Sequence, residues 1–523
     1  MTLPSDERLN FLFVITDQHR PDHTGFGGNT IVQTPHLDAL AERSVRFDRA
    51  FVSNPICMPN RATILTGRLP SVHGTRFNGI PLDWSAQTFV RALRDDGYRT
   101  GLMGKAHFQN LGDGPGFPVD RLFPIPGDSL LRRPNPEGWD DYEDQVRHRK
   151  ELVAMPDDYY GFGEVDLTVS HSDLCSGHYV HWLREQGVEP DEAQGPDHAL
   201  QRYADWWQIY QTALPEELYP TSYITLRTIE FLESAAREEA PFFLQCSFPD
   251  PHHPFTPPGR FWEMYDPSAM PLPETFDDPH THSLPFYRSR LKYKGSQRLH
   301  VQPFAPTEDQ LRHALAAEYG MITLIDEGIG RVLAALDRLG LRERTAIVFT
   351  SDHGDMFGDH GMMLKAGMHY EGCTRVPLLI STPQHAPGVC SSLAGSVDLP
   401  HTLLELAAVP EYHGMQGTSL TPLLADPSGS VRDHIVVEED EMFDLAGVGQ
   451  PLRMRTLISE AARLTLTQGS ELGELFDLEQ DPAELTNLWG RSEARERQAE
   501  MTEQLARHLM ELADLSPKPT RMA

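Results

Sequence analysis

Polar side chains follow the apolar runs of this chain at the points where those runs end. Residues 9–16 are almost continuously apolar, which indicates a buried parallel strand, and Asp17 and Gln18 come directly after them. A carboxylate and an amide carbonyl are two oxygen ligands of the kind that a hard divalent cation requires. An aspartate at a strand end can equally cap a turn. Further sequence evidence is therefore needed to distinguish a metal site from a local cap.

One segment combines a cysteine, a proline and an arginine: residues 57–68 read CMPNRATILTGR. It resembles the signature of the sulfatase family, C-x-P-x-R followed by T-G-R or T-G-K, except that Asn60 stands where many sulfatases have serine. The resemblance implies that a formylglycine-generating enzyme oxidises Cys57 to formylglycine, an aldehyde that hydrates to a geminal diol. For Cys57 alone, a buried free cysteine is the alternative. The extended match and the further elements below favour the signature.

Two further segments are similar to the metal-binding elements of that family. Residues 350–365 read TSDHGDMFGDHGMMLK, and the Asp-Gln pair at 17–18 stands where most sulfatases have two adjacent acids. The nitrogen ligand and the missing second acid weaken the case for Ca²⁺ and leave Mn²⁺ open, with Mg²⁺ as a third candidate. The resemblance implies one divalent metal ion held by Asp17, Gln18, Cys57, Asp352 and His353.

Lysine and histidine elements of the family recur at three other places. Residues 104–108 read GKAHF, residues 251–255 read PHHPF, and a lysine closes the segment 350–365. By this resemblance the arginine and the two lysines oppose the negative charge of a sulfate. His252, aided by Lys365, would protonate the departing alcohol, and His107 would be the base that releases sulfate. The catalytic residues implied are Cys57, Arg61, Lys105, His107, His252 and Lys365.

The implied aldehyde at residue 57 has a physical reason. One hydroxyl of its hydrate attacks sulfur, and the second, once His107 takes its proton, expels sulfate by C–O cleavage as the aldehyde returns. A serine at the same position has no second hydroxyl and would stay sulfated.

Composition bounds the partners of the protein. Its 523 residues carry a formal net charge of −31, which argues against nonspecific nucleic-acid binding and against docking on anionic membranes. A small anionic sulfate ester must therefore be attracted by a local cationic pocket.

The five cysteines are odd in number and widely spaced, so no disulfide framework is expected. No signal-peptide pattern is evident, so we expect a cytoplasmic protein, and the resemblance implies a homo-oligomer.

Apolar runs alternate with helical patterns along most of the chain, which predicts an α/β fold. The predicted strands are Leu9–Thr16, Tyr98–Gly104, Pro241–Phe248, Thr345–Ser351 and Val376–Ser381. We expect a large, mostly parallel central sheet flanked by helices over residues 1–430, which would form the catalytic domain. Low periodicity at about 109–215 and 250–302 indicates long insertions around the pocket.

The end of the chain shows shorter, β-like runs. Residues 475–488 read LFDLEQDPAELTNL, which resembles a C-terminal element of sulfatases. The resemblance implies that residues 431–523 form a smaller C-terminal α+β domain with a short antiparallel sheet and a closing helix.

Two functions of the same superfamily fit these residues. Lys105 and His107 favour a sulfatase that hydrolyses sulfate monoesters of aryl or small alkyl alcohols. Gln18 and His353 favour the alternative, a phosphonate monoester or phosphodiester hydrolase with the same nucleophile, and one protein can do both. A non-catalytic binding protein is disfavoured, because it should have lost some of the catalytic residues and none is lost.

Overall fold

The structure is a computed structural model that describes residues 8–112, 135–281, 283–296, 303–442, 450–468 and 471–514. Residues 1–7, in which no signal peptide is expected, lie outside the described residues. So do residues 113–134 of the first predicted insertion, residues 282 and 297–302 of the second, and residues 515–523 at the C-terminus.

The core of the fold is a large sheet in which most neighbouring strands are parallel. In chain order the strands are β1 (Asn10–Thr16), β2 (Val45–Phe51), β3 (Arg99–Lys105), β4 (Glu164–Val169), β5 (Ser176–Gly177), β6 (Gln201–Arg202), β7 (Tyr210–Gln211), β8 (Phe242–Ser247), β9 (Thr345–Ser351), β10 (Leu378–Ser381), β11 (Gly388–Gly395), β12 (Ile435–Asp440), β13 (Arg453–Ile458), β14 (Ala462–Gln468) and β15 (Gly473–Asp477). Nine of them form one sheet in the order β11-β2-β10-β9-β1-β8-β3-β4-β5. Strands β10 and β5 run antiparallel to their neighbours, and the other pairs are parallel.

Helices cover both faces of this sheet. The helices of the described residues, including one that packs on a second sheet, are Pro35–Ala41, Cys57–Thr66, Pro70–His73, Phe89–Asp95, Gln145–Lys150, His178–Glu185, Pro190–Ala193, Pro220–Ala235, Pro285–Leu291, Glu308–Arg338, Glu371–Thr374, Leu399–Leu406, Thr421–Ala425 and Arg495–Glu511. Within the described residues, no helix is both long enough and apolar enough to cross a membrane.

The central strand β1 shows why its sequence is apolar throughout. Phe11, Phe13 and Ile15 pack into the cluster on one face of the sheet, while Leu12 and Val14 pack into the cluster on the other face. Successive side chains of a strand point to opposite faces, so a strand covered on both sides has to be apolar at every position. The expected α/β class with a mostly parallel sheet flanked by helices is confirmed.

A second, smaller sheet lies towards the C-terminus. Strands β12 to β15 pair in order and antiparallel, and the helix Arg495–Glu511 packs on them through Met501 and Leu505. Ile435 and Val437 of β12 contact Phe51 and Leu393 of the large sheet. The expected antiparallel sheet with a closing helix is therefore confirmed, and the division of the chain at residue 430 stays a prediction.

Candidate active site

Two neighbouring strand ends bring the first two acidic residues together. Strands β1 and β9 are parallel and pair Thr16 with Ser351, so Asp17 and Asp352 leave the sheet side by side. The backbone N–H of Gln18 donates to Oδ1 of Asp352 at 3.2 Å. Both carboxylates are fully buried. The sheet topology thus assembles the pair from distant parts of the sequence, at the carboxyl edge where α/β sheets form their sites.

Cys57 is the first residue of the helix Cys57–Thr66, and its thiol lies among charged groups. Its Sγ is 3.1 Å from Nε2 of His353, 3.4 Å from Nζ of Lys365 and 3.9 Å from Oδ1 of Asp17. Nδ1 of His353 lies 2.7 Å from the carbonyl oxygen of Gly354 and donates to it, which leaves Nε2 towards the thiol. A group on Cβ of residue 57 therefore meets an imidazole, an ammonium and a carboxylate at a helix N-terminus, where the dipole favours negative charge.

The guanidinium of Arg61, one turn along the same helix, connects both acidic residues. Its Nε donates to Oδ2 of Asp352 at 2.6 Å, and its Nη1 donates to the carbonyl of Lys105 at 3.1 Å and to Oγ of Ser247 at 2.9 Å. Nη2 lies 3.7 Å from Oδ2 of Asp17 and has no hydrogen-bond partner among the described residues. Arg61 thus balances two buried carboxylates and keeps donors for a ligand.

Asn60, which stands where many sulfatases have serine, also joins separate parts of the site. Its Oδ1 accepts hydrogen bonds from the N–H of Ser53 at 3.1 Å and from Oγ of Ser396 at 2.7 Å. Its Nδ2 donates to the carbonyl of Asp352 at 2.7 Å. An amide satisfies all three partners because it is an acceptor at one atom and a donor at the other.

Lys105 ends β3 and carries its ammonium into the same site. Its Nζ makes a short ion pair with Oδ2 of Asp17 and lies 2.7 Å from Nε2 of His171. His107, two residues further on, is buried and has a backbone φ of +58°. Its Nδ1 has no hydrogen-bond partner in the described part of the chain. A base nitrogen without a partner is available for proton transfer.

His252 follows β8 and lies near the thiol of Cys57. Its Nδ1 lies 2.5 Å from the carbonyl oxygen of His253, to which it donates, so its Nε2 is the nitrogen that remains available. Its ring stacks on that of His171 with centroids 3.7 Å apart. One ligand atom each from His252, His171, Cys57 and Asp17 lie within 4.8 Å of one another. His252 is therefore close enough to the thiol to serve a group bound there.

The described part of the chain brings all the predicted site residues to one place. Nζ of Lys365 completes the set, because it lies 3.3 Å from Oε1 of Gln18 and 2.7 Å from Nε2 of His353. The residues assembled are Asp17, Gln18, Cys57, Arg61, Lys105, His107, His252, Asp352, His353 and Lys365.

The chemistry of the donor set fits a divalent cation. Ligand atoms of Asp17, Cys57, Asp352 and His353 lie within 4.8 Å of one another, and all four residues are buried. Two carboxylates with one imidazole, and the amide oxygen of Gln18 beside them, form an oxygen-rich site for a hard cation. Burial and the ammonium of Lys365 lower the pKa of His353, but the carboxylate of Asp352 and negative charge on the sulfur of Cys57 raise it to about 9 overall. The surroundings therefore favour positive charge at this point.

Comparison with known proteins identifies the family. A sequence model of the family described as Sulfatase matches residues 9–409, which is most of the chain. The chain belongs to the sulfatase family. A second model, described as N-sulphoglucosamine sulphohydrolase, C-terminal, matches residues 358–511 of this sulfatase. The protein is accordingly a sulfuric ester hydrolase, and the expected family is confirmed.

Relatives of this sulfatase come from several bacteria. It is 29% identical to an arylsulfatase of Clostridium perfringens, over 93% of this chain and 92% of the relative. It is 28% identical to a choline-sulfatase of Rhizobium meliloti, over 92% of this chain and 82% of the relative. Among solved structures it is similar to the phosphonate monoester hydrolase of Silicibacter pomeroyi, with a TM-score of 0.77, 25% identity, and coverage of 97% of this chain and 96% of that one. Both functions predicted from the sequence thus occur among its relatives.

Burial and neighbouring cations set the charge states in this sulfatase. Burial raises the pKa of Asp17, but Lys105 and His252 lower it well below its ordinary value. Burial lowers the pKa of His107 well below its usual range, and Lys105 and Arg61 lower it further. The imidazole of His107 is therefore neutral at neutral pH and can accept a proton.

One residue of the site was missed by the sequence reasoning, namely His171. It lies in the first predicted insertion, contacts Lys105, and is 3.7 Å from Oδ2 of Asp17. Burial and the ammonium of Lys105 lower its pKa well below the usual value. The ring is therefore neutral and accepts a hydrogen bond from the ammonium of Lys105. Its segment lacks periodicity and carries no motif, and the sequence offers no signal that could have found it.

Proposed function

We propose that this sulfatase hydrolyses sulfate monoesters of aryl or small alkyl alcohols, with formylglycine derived from Cys57 as the nucleophile. The observation that carries the proposal is the set of groups around Cys57: Sγ is 3.1 Å from Nε2 of His353, 3.4 Å from Nζ of Lys365 and 3.9 Å from Oδ1 of Asp17. Conversion to the aldehyde hydrate would supply a hydroxyl nucleophile at the centre of these groups.

Three cationic side chains are proposed to bind the sulfate group. Nζ of Lys105 lies 2.7 Å from Nε2 of His171, and Nζ of Lys365 lies 3.4 Å from Sγ of Cys57. Nη2 of Arg61 has no hydrogen-bond partner among the described residues. Charge that develops on the sulfuryl oxygens in the transition state would be stabilised by these fixed donors. This local cluster would attract an anion although the whole protein carries a net charge of −31.

Two histidines are proposed to move protons on either side of the reaction. His252, through its available nitrogen and aided by Lys365, would protonate the departing alcohol. His107 would take a proton from the second hydroxyl at residue 57 so that sulfate can leave. The low pKa of His107, caused by burial and by Lys105, suits the second role because the base has to be neutral beforehand.

A single divalent metal ion is proposed as the cofactor. Asp17, Gln18, Asp352 and His353 would hold it together with an oxygen on residue 57. When bound, the ion would supply positive charge that makes the hydroxyl on residue 57 more acidic and opposes the negative charge of the sulfate. Ca²⁺, Mn²⁺ and Mg²⁺ are the candidates, since two carboxylates, an amide and one imidazole are compatible with each.

An apolar cluster next to the nucleophile supports an aryl or alkyl alcohol as the leaving group. Ile56, Phe77 and Ala366 are buried together, and Ile80 and Met442, which are partly exposed, pack against them. Ile56 directly precedes the nucleophile, and Ala366 directly follows Lys365. Apolar surface that is partly open to solvent beside a polar centre is typical of small-molecule sites.

Hydrolysis of phosphonate monoesters is the second candidate, and one protein can carry out both reactions. Gln18 stands where most sulfatases have a second acidic residue, and its Oε1 accepts a hydrogen bond from Nζ of Lys365 at 3.3 Å. The similar fold of the Silicibacter pomeroyi phosphonate monoester hydrolase supports this candidate. Lys105 and His107 favour sulfate.

The experiment that tests the proposal compares two substrates on one preparation. Mass spectrometry first confirms that the thiol of Cys57 has been replaced by the aldehyde. The kcat/KM values for 4-nitrophenyl sulfate and for a 4-nitrophenyl phosphonate monoester are then measured side by side. We expect the sulfate to be preferred. A clear preference for the phosphonate would replace the proposal by its alternative.

Three further predictions concern the setting of the protein. A formylglycine-generating enzyme of the host would have to modify Cys57, since nothing else in the proposed scheme forms the aldehyde. The homo-oligomer and the cytoplasmic location stay predictions. Size-exclusion chromatography with light scattering tests whether the protein is a homo-oligomer, and cell fractionation tests whether it is cytoplasmic.

A further inference from the structure

The loop that carries His107 is held by one carboxylate, that of Glu143. Oε2 of Glu143 accepts the backbone N–H of His107 at 2.7 Å, and Oε1 accepts the N–H groups of Phe108 at 2.8 Å and Gln109 at 3.0 Å. The hydroxyl of Tyr159 donates to Oε1 at 2.6 Å. Glu143 is only 1% exposed. Four donors thus converge on one buried carboxylate in the first predicted insertion.

The backbone of this loop needs such an acceptor. His107 has a φ of +58°, in the left-handed region that costs a residue other than glycine about 1 kcal/mol or more. Three successive N–H groups turned to one side form a concavity that favours a negative charge. Left without a partner, each of these buried groups would destabilise the conformation.

A second set of contacts fixes Glu143 itself relative to the loop. The side chain of Gln109 donates from Nε2 to the carbonyl of Trp139 at 2.9 Å and accepts the N–H of Tyr142 at 3.1 Å. The segment before Glu143 and the segment after His107 are therefore tied to each other in both directions. A substitution at Glu143 would therefore disturb the backbone of His107, while the side chains proposed to contact the substrate keep their chemical identity.

We propose that Glu143 is a positioning residue for the reaction: its carboxylate holds the backbone of residues 107–109 so that the imidazole of His107 keeps its place in the site, where its ring centroid lies 6.3 Å from that of His171. The inference rests on the proposed role of His107 as the base. It also makes a statement about the backbone that can be measured without any substrate.

The test compares Glu143→Gln with a matched control, Asp326→Asn. The carboxylate of Asp326 is also buried, and it accepts the N–H groups of His36 and Leu37 at 3.1 and 2.7 Å, at the start of the helix Pro35–Ala41. Both changes remove a buried charge that holds backbone N–H groups, but only the first concerns the loop of His107. Backbone amide hydrogen exchange of residues 105–110, kcat and KM for 4-nitrophenyl sulfate, and the melting temperature are measured for both.

We expect Glu143→Gln to speed amide exchange at residues 107–109 by about tenfold or more. We expect its kcat to fall about 10–100-fold, as is usual for a supporting residue, with KM changing less than about threefold. Asp326→Asn should lower the melting temperature but leave both kcat and exchange at 107–109 as in the wild type. Tyr159→Phe, which removes one donor and keeps the three backbone contacts, should behave nearly as the wild type.

Unchanged exchange at residues 107–109 in Glu143→Gln would overturn the inference. So would a fall in kcat no larger than that of Asp326→Asn, because the effect would then be one of stability alone. If the wild-type enzyme does not turn over 4-nitrophenyl sulfate at all, the proposed function fails, and the exchange rates still decide whether Glu143 holds this loop.

Discussion

The thiol of Cys57 lies 3.1 Å from Nε2 of His353, although 296 residues separate the two in the chain. Cys57 begins a helix, and His353 follows the end of β9. The contact places the residue that is proposed to become the nucleophile directly against a proposed metal ligand. Any change of chemistry at position 57 should therefore alter reaction and metal site together.

Cys57→Ser is the most direct test of the aldehyde. A serine hydroxyl can attack sulfur once, but it has no second hydroxyl from which sulfate could be expelled. We expect at most about one equivalent of 4-nitrophenol per chain, followed by a stable sulfated serine that is visible by mass spectrometry. Sustained turnover by this variant at the wild-type rate would contradict the mechanism.

Arg61→Ala should lower both activity and stability. It removes donors from the proposed sulfate site, which we expect to cost about 10²–10³ in kcat. It also leaves the carboxylates of Asp352 and Asp17 without their guanidinium, which typically destabilises a buried site by about 3–5 kcal/mol. Steady-state kinetics and chemical unfolding measure the two effects.

Arg147→Ala is the control for Arg61→Ala. Arg147 pairs with Glu151 in an exposed contact of 2.7 Å on the helix surface, and such pairs contribute less than about 1 kcal/mol. Its removal should change neither kcat nor the unfolding midpoint appreciably. Equal effects of the two substitutions would show that Arg61 has no special role in the site.

The sequence predicted the parts of this site that follow regular strands. The resemblance to the sulfatase family implies that Asp17 and Asp352 hold one metal ion. Each follows an apolar run, and the structure shows why they meet, because parallel strands that lie side by side end at one edge. The sequence did not predict that the strand Leu378–Ser381 runs antiparallel to its neighbours, because an apolar run does not indicate the direction of its strand.

Residues in irregular segments could not be predicted in the same way. His171 of the site, and Glu143, which holds the loop of His107, belong to a segment in which no periodicity indicates which side chains face inwards. Their positions depend on contacts with Lys105 and His107 that are distant in sequence. Only the folded chain brings such residues together, because neither a local propensity nor a spacing encodes them.

His171→Ala tests the residue that the sequence did not indicate. The ammonium of Lys105 would lose the acceptor at 2.7 Å, and the ring of His252 would lose its stacking partner. We expect kcat to fall about 10–100-fold and His171→Gln, whose amide oxygen can accept the same proton, to recover part of the loss.

The control for His171 is His280→Ala. His280 is buried and lies 2.6 Å from the carbonyl oxygen of His360, away from the proposed nucleophile. Its loss should lower the melting temperature and leave kcat unchanged. A glutamine at 171 that is no better than alanine would argue against a role in holding Lys105.

Removal of the metal ion should be visible in the melting temperature. A ligand that binds only the folded state stabilises it by about 2.7 kcal/mol when its free concentration is 100 times its Kd. We expect a chelator to lower the melting temperature and one of Ca²⁺, Mn²⁺ or Mg²⁺ to restore it. In Asp352→Asn this cation-dependent rise should be lost. A rise of the same size in that variant would place the cation elsewhere.

The buried carboxyl group of Asp173 should make stability depend on pH. Burial raises its pKa from 3.8 to about 6, although Tyr210 and the N–H of Gly195 donate to it at 2.6 and 3.1 Å. Because the folded state holds the proton more tightly, this group stabilises the fold below pH 3.8, and that contribution is lost as the pH rises through about 6. The loss amounts to about 3 kcal/mol at most.

The variant Asp173→Asn cannot titrate at this position and isolates the effect. The difference in unfolding free energy between wild type and variant should favour the wild type most near pH 4 and decline up to about pH 6 to 7. Above that range it should be constant, since the carboxyl group is then ionised in both states. Urea unfolding at several pH values measures the difference, and two curves that run parallel over the whole range would mean that Asp173 keeps its ordinary pKa.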